Sequence, residues 1–361
     1  MRTSPSLSPF AILSLAAVIA AQQPPAWRDA VRAAVEAKWQ EDAIPGISVA
    51  IATGGGEREP EAFAFGFADV ENDVPASGAT VYRLASISKP IAAVCAMKLV
   101  EQGKLDLDRD VHEIVAAWPE KPWPVTTRQL LAHLGGVRHY KPGEGESTVH
   151  YPTQTAALVR FADDPLLHEP GTKYRYSTFG YNLVAAVVEA AAQKPFPQVV
   201  EEFVAAPSAA SSMQDDDVRR LIRGRAQGYL RTGGELRNSV LMDGSYKLGG
   251  GGLCCSAVDL ARFGQALCGG RLVTPQTLDA MWTRQRTKSG NEIGYGLGFT
   301  VGRHDGRRVI HHSGAQSRVS TMLYLLPDDG VAIVALCNLE GVKLGGFAQR
   351  LGELVTATER R

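Results

Sequence analysis

Ser86 and Lys89 are the residues of this sequence whose types and spacing most clearly suggest chemistry. They lie three positions apart, just before an apolar run at 91–99 that predicts a helix. Side chains three apart on a helix share a face, so the lysine amine can lie beside the serine hydroxyl. A lysine whose pKa is lowered by burial can take the proton of a serine and make it a nucleophile. The pair therefore predicts an acylating serine, although a chain of this length contains about one S-x-x-K pattern by chance.

Two later stretches of the chain supply groups for the same chemistry. Tyr176 and Thr178 follow in the run 174–182, and His312 comes at the end of a predicted strand. His311 precedes it, but neighbouring residues of a strand point to opposite faces, so only one of the two histidines can line a cleft. His133 also begins an H-x-G pattern, but it lies between predicted helices and ahead of Tyr176, which favours a structural role.

With these motifs in order, the sequence resembles the serine β-lactamase and DD-peptidase superfamily, and within it the class C β-lactamase-related hydrolases. The resemblance covers nearly the whole chain after the N-terminal segment. The occurrence of both segments 138–140 and 176–181 makes the sequence most similar to the mitochondrial LACTB-type serine proteases. Other stretches that carry the resemblance are 105–108, 130–136, 248–260 and 295–299.

The resemblance implies a role for each matching residue. Ser86 would form an acyl-enzyme, and Lys89 and Tyr176 would share the proton transfers, with the order of the two left open. The backbone N–H groups of Ser86 and Ala315 would form the oxyanion hole. No cofactor and no metal is implied. The residues expected to contact substrate or the oxyanion are Thr178, His312, Ser313, Gly314 and Ala315.

Two positions depart from the family pattern. Thr178 stands where many relatives have asparagine, and it offers one hydroxyl in place of a carbonyl and two N–H donors. His312 stands where the family often has lysine, and an ordinary histidine titrates near neutrality. We therefore expect the side of the cleft that His312 lines to bind a substrate carboxylate weakly. We also expect the activity to change as pH crosses the pKa of His312.

These observations favour a serine hydrolase that acts on peptide or ester bonds through Ser86. A first alternative is a non-catalytic peptide- or cell-wall-binding protein on the same fold, one that could self-assemble. A second is a weak β-lactamase or D-Ala-D-Ala carboxypeptidase. The expected partner is a small peptide or ester substrate, and nothing in the periodicity of the chain shows a self-association surface.

Composition excludes other classes of function. The 361 residues carry 38 basic and 38 acidic side chains, so neither a nucleic acid nor an anionic membrane surface is favoured as a partner. The five cysteines include no C-x-x-C pair and no neighbouring ligand at zinc-like spacing. The acidic and arginine-rich segment 211–225 is expected to be a solvated loop or helix face.

The N-terminus predicts export. An apolar run at 10–21 ends in small residues and is too short to span a bilayer comfortably, which indicates a signal peptide over 1–21. The mature protein would then be periplasmic or extracellular.

Strand patterns at both ends of the chain, with helical patterns between them, predict an α+β fold of the β-lactamase/DD-peptidase type. We expect an antiparallel sheet built from N- and C-terminal segments, flanked by helices, with an inserted, mainly helical lobe. One catalytic domain would span 22–361. Its α/β part would cover about 25–90 and 240–361, and its helical lobe about 91–239.

Overall fold

A computed structural model of the protein describes residues 25–54 and 58–358. The predicted signal peptide over 1–21 lies outside these residues. In the part of the chain that is described, no helix is both long and apolar enough to cross a membrane.

Twelve β-strands are found among the described residues. Their bounds are β1 (Gly46–Ala52), β2 (Glu61–Asp69), β3 (Val74–Pro75), β4 (Val81–Arg83), β5 (Gln214–Asp215), β6 (Tyr229–Thr232), β7 (Glu235–Asn238), β8 (Leu253–Ser256), β9 (Thr300–His304), β10 (Arg307–Gln316), β11 (Val319–Leu326) and β12 (Val331–Cys337).

Seven of these strands form the main sheet, in the order β3-β2-β1-β12-β11-β10-β9. Every neighbouring pair is antiparallel. The first three strands come from the N-terminal segment and the last four from the C-terminal segment. The predicted fold class, with its sheet assembled from both ends of the chain, is therefore confirmed.

Ten α-helices accompany the strands in the described chain. Their bounds are α1 (Arg28–Glu41), α2 (Ser88–Glu101), α3 (Thr127–Leu131), α4 (Gln154–Ala157), α5 (Thr178–Ala192), α6 (Phe196–Val200), α7 (Leu248–Gly251), α8 (Ala257–Cys268), α9 (Pro275–Met281) and α10 (Gly345–Thr358).

The main sheet is covered on both faces, which explains why β1, β11 and β12 are apolar almost without interruption. Because successive side chains of a strand point to opposite faces, β1 contributes to two separate cores. Ile47 and Val49 pack with residues of α1 and α10. Ala50 and Ala52 join the larger core, which holds α2, α5 and α8.

Helices α2 and α5 form the centre of the larger core. Nearly all residues of α2 are buried, as are the first eleven residues of α5. A helix that is apolar all round has to be enclosed on every side, and here α6 and α7 each pack against both helices. The N-terminal ends of α2 and α5 carry Lys89 and Thr178, so this packing fixes the two side chains relative to each other.

The expectation for 211–225 is wrong in one respect. Asp216 is buried and forms ion pairs with Arg83 and Arg225, because the segment folds back onto β4 and β8 instead of remaining in solvent. A buried carboxylate needs charged partners, and the arginines supply them. All five cysteines lie in described residues and are free thiols.

Candidate active site

Ser86 lies on a tight turn that links β4 to α2. The turn Ala85–Ile87 is a 3-10 helix, and α2 begins only at Ser88. Ala85 has a left-handed backbone with φ of 49°, which is unusual for a residue with a side chain. The half-buried Ser86 side chain lines two cavities, with volumes of about 280 Å³ and 270 Å³.

Lys89 is buried next to Ser86, with three oxygen atoms around its amine. Its Nζ atom lies 3.0 Å from Ser86 Oγ, 3.2 Å from Thr178 Oγ1 and 2.7 Å from the carbonyl oxygen of Gly250. Burial, and secondly the charge of Lys247, hold the pKa of Lys89 well below its usual value. The lowered pKa favours the neutral amine, which is the state that accepts a proton.

The second partner of Ser86 is Tyr176, whose hydroxyl donates to Ser86 Oγ over 2.9 Å. Burial raises the pKa of Tyr176, so its phenol stays protonated at neutral pH. The ring stacks at a tilt on His133, with 4.3 Å between the ring centroids. His133 also accepts a hydrogen bond from the Ser177 backbone N–H over 3.1 Å. Its predicted structural role agrees with these contacts.

Thr178 lies at the first turn of α5 and directs its hydroxyl toward Lys89. Ser177 caps this helix, since its Oγ accepts from the Gly180 N–H over 2.9 Å and donates to the Arg138 carbonyl over 2.7 Å. The Thr178 N–H donates to His139 Nδ1 over 3.1 Å. Thr178 lines the larger cavity, and its hydroxyl accepts a hydrogen bond from the lysine.

Gly250 occupies a position where a side chain would not fit. A Cβ atom there would lie 2.5 Å from Thr178 Cγ2 and 2.7 Å from Asn182 Oδ1. The absence of a side chain lets α7 approach α5 closely enough for the Gly250 carbonyl to reach Lys89. The glycine run at 249–252 predicts, from sequence alone, a turn close to the site. It forms the short helix α7 instead, and it does contact the site.

His312 lines the smaller cavity together with Ser313 and Ala315. Its Nδ1 lies 2.7 Å from the Ser313 carbonyl and its Nε2 lies 3.0 Å from Tyr295 Oη. Because a carbonyl can only accept, the proton of the neutral ring is on Nδ1, and Nε2 accepts from the tyrosine. His311 faces the other side of the sheet and stacks on Tyr324, as the strand alternation predicts.

The expectation that His312 titrates near neutrality is wrong. Burial, and secondly the nearby Lys89, lower the pKa of His312 to about 3. The ring is therefore neutral throughout the range from pH 5 to 8. An activity change in that range has to come from another group.

Ser313, Gly314 and Ala315 form the part of β10 that approaches Ser86. The pairing of β9 with β10 ends at His311, so among the described residues no strand covers this edge of the sheet. A Cβ atom on Gly314 would lie 2.5 Å from the Leu84 carbonyl and 3.0 Å from Ala85 Cβ, so glycine permits the close approach to the Ser86 turn. Ala315 lines both cavities at Ser86.

Several residues that line these cavities were not singled out from the sequence as site residues, and four of them bear on the chemistry of the site. Tyr295 holds His312, and His139 holds the Thr178 backbone. Glu146 is exposed at the larger cavity and accepts from Ser317 Oγ over 2.8 Å. Lys247 is buried in the same cavity. Only the positions of His139 and Tyr295, inside stretches that carry the family resemblance, gave any signal in the sequence.

One group of side chains in the described residues could offer three ligand atoms to a metal ion. His304, Asp305 and Glu353 lie together at the end of β9 and on α10. The two carboxylates are exposed, and such groups are common on surfaces without an ion. Neither cavity at Ser86 is lined by any of the three.

Comparison with known proteins places this geometry in a family. The sequence matches the Beta-lactamase family over residues 31–355. It is 28% identical over 416 aligned positions to the human mitochondrial serine beta-lactamase-like protein LACTB, an alignment that covers 85% of this chain and 76% of the relative.

Solved structures share the fold. An octameric penicillin-binding protein homologue from Pyrococcus abyssi superposes with a TM-score of 0.78 at 23% identity, over 91% of this chain and 77% of the other. EstCE1, described as a hydrolase with promiscuous acyltransferase activity, gives a TM-score of 0.75 at 24% identity, over 91% and 99% of the two chains.

Proposed function

Because the chain belongs to the β-lactamase family, a family that includes penicillin-binding proteins, amidases and esterases, we propose that it is a serine hydrolase with Ser86 as nucleophile. The substrate would carry an ester or peptide bond. The observation that carries the proposal is the hydrogen-bond arrangement around Ser86 Oγ, which lies 3.0 Å from Lys89 Nζ and 2.9 Å from Tyr176 Oη.

The protons of this arrangement balance when Lys89 is neutral. A neutral amine has two hydrogens and one lone pair. The two hydrogens go to the Gly250 carbonyl and Thr178 Oγ1, and the lone pair is left for the hydroxyl proton of Ser86. Tyr176 keeps its proton and donates to Ser86 Oγ. Lys89 is thus the better general base and Tyr176 the better general acid, an assignment that the sequence leaves open.

The reaction would run in two steps. Ser86 Oγ attacks the carbonyl carbon as its proton passes to Lys89, and the C–O or C–N bond breaks as the leaving group takes a proton from Tyr176. The Lys89 proton then returns to Tyr176 through the site. Water then attacks the acyl-enzyme and gives a proton to Lys89, while Tyr176 donates its proton to Ser86 Oγ as the acyl group leaves; the Lys89 proton again returns to Tyr176. The backbone N–H groups of Ser86 and Ala315 are the proposed donors to the oxyanion.

Peptides or esters fit the His312 side of the site better than β-lactams do. His312 is neutral and has both ring nitrogens occupied, by Tyr295 and by the Ser313 carbonyl. A neutral, fully hydrogen-bonded ring is a poor partner for a substrate carboxylate. We therefore expect slow turnover of chromogenic cephalosporins.

Labelling with a fluorophosphonate probe tests the proposal. Wild-type protein should be labelled at Ser86, and Ser86→Ala should abolish labelling. Ser88→Ala is the matched control, since this buried serine lies two residues away and only accepts a hydrogen bond from the Leu253 N–H, over 3.2 Å. Labelling that persists in Ser86→Ala would refute the assignment.

A folded wild-type protein that is never labelled and hydrolyses no ester would favour the non-catalytic binding protein. Export is a separate proposal that rests on residues 1–21. Intact-mass measurement of protein recovered from the periplasm or medium should show their removal.

A further inference from the structure

Lys247 is a buried cation without a strong partner. Its exposed fraction is 2%, and it makes no ion pair within 25–54 and 58–358. Its Nζ atom lies 3.4 Å from the Gly145 carbonyl and 3.3 Å from Met242 Sδ. The first contact is long and the second acceptor is weak, so the hydrogen-bonding capacity of the ammonium group is poorly used.

The other cations near Lys247 are neutralised or hydrogen-bonded. Arg83 pairs with the buried Asp216, and Arg160 Nη2 donates to the Glu144 carbonyl over 2.7 Å. The Arg160 guanidinium also lies over the Tyr246 ring, 4.3 Å from its centroid. Lys247 lies farther from its aromatic neighbours, with 5.3 Å to the Tyr246 centroid. Arg160, like Lys247, makes no ion pair among the described residues, but of these groups only Lys247 lines the cavity that holds Ser86.

Lys247 lines the larger cavity, which also holds Ser86, Tyr176 and Thr178. With a volume of about 280 Å³, this cavity lies near the lower end of pocket sizes that hold small ligands. Glu146 is the acidic residue of the cavity wall, but it is exposed and already accepts a hydrogen bond from Ser317. A substrate group bound at Ser86 can therefore extend toward a buried cation.

From this geometry we propose that Lys247 binds a carboxylate of the substrate, so that the enzyme prefers acidic esters or peptides. The proposal rests on the proposed function. It assigns recognition of the substrate carboxylate to the larger cavity, which Lys247 lines, instead of the smaller cavity, which His312 lines. A carboxylate there would give the buried ammonium group a charge-assisted hydrogen bond.

Paired substrates of equal shape provide the test. One pair is the methylumbelliferyl monoester of glutaric acid against that of glutaramic acid, with the charge on the acyl part. The other is para-carboxyphenyl butanoate against para-carbamoylphenyl butanoate, with the charge on the leaving group. For at least one pair, kcat/KM should be about tenfold or more higher for the acid, as expected for a charge-assisted contact.

Lys247→Met should reduce this acid-to-amide ratio to about one or below, while Lys247→Arg should keep much of it. Lys98→Met is the control for loss of a lysine, since Lys98 lies on α2 away from the cavity and pairs with Glu101 over 3.2 Å. Thermal unfolding and turnover of the neutral ester show that each variant is folded. An unchanged ratio in folded Lys247→Met would overturn the proposal.

Binding separates this result from a failure of the proposed function. In Ser86→Ala, titration calorimetry with glutarate should detect binding that is at least tenfold weaker in Ser86→Ala/Lys247→Met. If no variant hydrolyses any ester but glutarate binds through Lys247, the proposed reaction fails and the carboxylate site stands. Equal binding by the two proteins would refute the carboxylate site.

Discussion

Lys89 and Lys247 are both almost fully buried near Ser86, but their surroundings differ. The amine of Lys89 has three oxygen partners within 3.2 Å, contributed by the Ser86 turn, α5 and α7. The amine of Lys247 has one long contact to a carbonyl and one to a thioether sulfur. Burial lowers the pKa of both, for Lys247 to about 7.

The difference separates two uses of a buried lysine. A catalytic base needs a fixed orientation before substrate arrives, and several hydrogen bonds to rigid elements provide it. A ligand-binding cation keeps its hydrogen-bonding capacity for the ligand, and the folded protein bears the cost of leaving the group poorly paired. The same residue type therefore indicates chemistry in one place and recognition in the other.

The largest expected effect is on Lys89. Lys89→Met should lower kcat/KM for a neutral ester by roughly 1000-fold, since it removes the group placed to take the serine proton. On the same ester, Lys247→Met should cost no more than about tenfold, because Lys247 touches none of the reacting groups but lowers the pKa of Lys89. Stopped-flow acylation measures both, and equal losses would remove the distinction between the two lysines.

Tyr176→Phe should reduce turnover by roughly 100-fold, because the leaving group loses its proton donor while the ring and its packing on His133 remain. Tyr174→Phe is the matched control: Tyr174 is 40% exposed and also packs on His133. Steady-state kinetics on esters with good and poor leaving groups give the sharper result. The loss should be greatest for the poorest leaving group, and a uniform loss would argue against a general-acid role.

Lys247 should also affect stability as a function of pH. Below pH 7 this lysine is protonated in both the folded and the unfolded protein. Above pH 7 the folded protein releases the proton while the unfolded chain keeps it up to about pH 10, so the contribution to stability rises with pH.

Between pH 7 and 9 the free energy of unfolding of the wild type should rise by about 2 kcal/mol relative to Lys247→Met. Urea unfolding of the two proteins at pH 7, 8 and 9 measures the difference. Parallel curves would mean that Lys247 is charged in the folded protein over the whole range.

The smallest effect is expected for His312. With its pKa lowered to about 3, the ring is neutral from pH 5 to 8 and contributes no titration there. The pH profile of kcat/KM for a neutral ester should therefore have the same shape in the wild type and in His312→Gln. An inflection near pH 6.5 that disappears in the variant would show that the ring is protonated in that range.

Sequence reasoning reached the fold because local patterns and motif order both reflect it. The strand patterns at the two ends of the chain correspond to β1, β2, β10, β11 and β12, and β1 pairs with β12 across the two ends. The Ser86–Lys89 spacing correctly predicted that the two side chains lie close together, but the two residues do not lie on one helix. Ser86 lies on a 3-10 turn before the helix, and the turn still directs both side chains to one place.

Tertiary packing decided what the sequence left open or predicted wrongly. The pKa of His312 depends on burial and on Lys89, which lies far away in sequence. Asp216 reads as part of an exposed acidic run, but Arg83 draws it into the interior. Lys247 belongs to no recognised sequence motif, and only folding brings it to the cavity that Ser86 lines. The division of the catalytic domain into an α/β part and a helical lobe stays a prediction.

The pairing of β1 with β12 also has a consequence for synthesis of the protein on the ribosome. Residues 46–52 emerge early from the ribosome, but the strand that pairs with their second edge, Val331–Cys337, is made almost last. Until then the nascent chain carries an apolar, unpaired strand edge, and such edges invite pairing with other chains. Completion of the main sheet must also wait for contacts between residues that are far apart in the sequence, and such contacts form slowly. A chain that stops before Val331 should thus accumulate as aggregate, and the full-length chain should depend on holding chaperones until synthesis is complete.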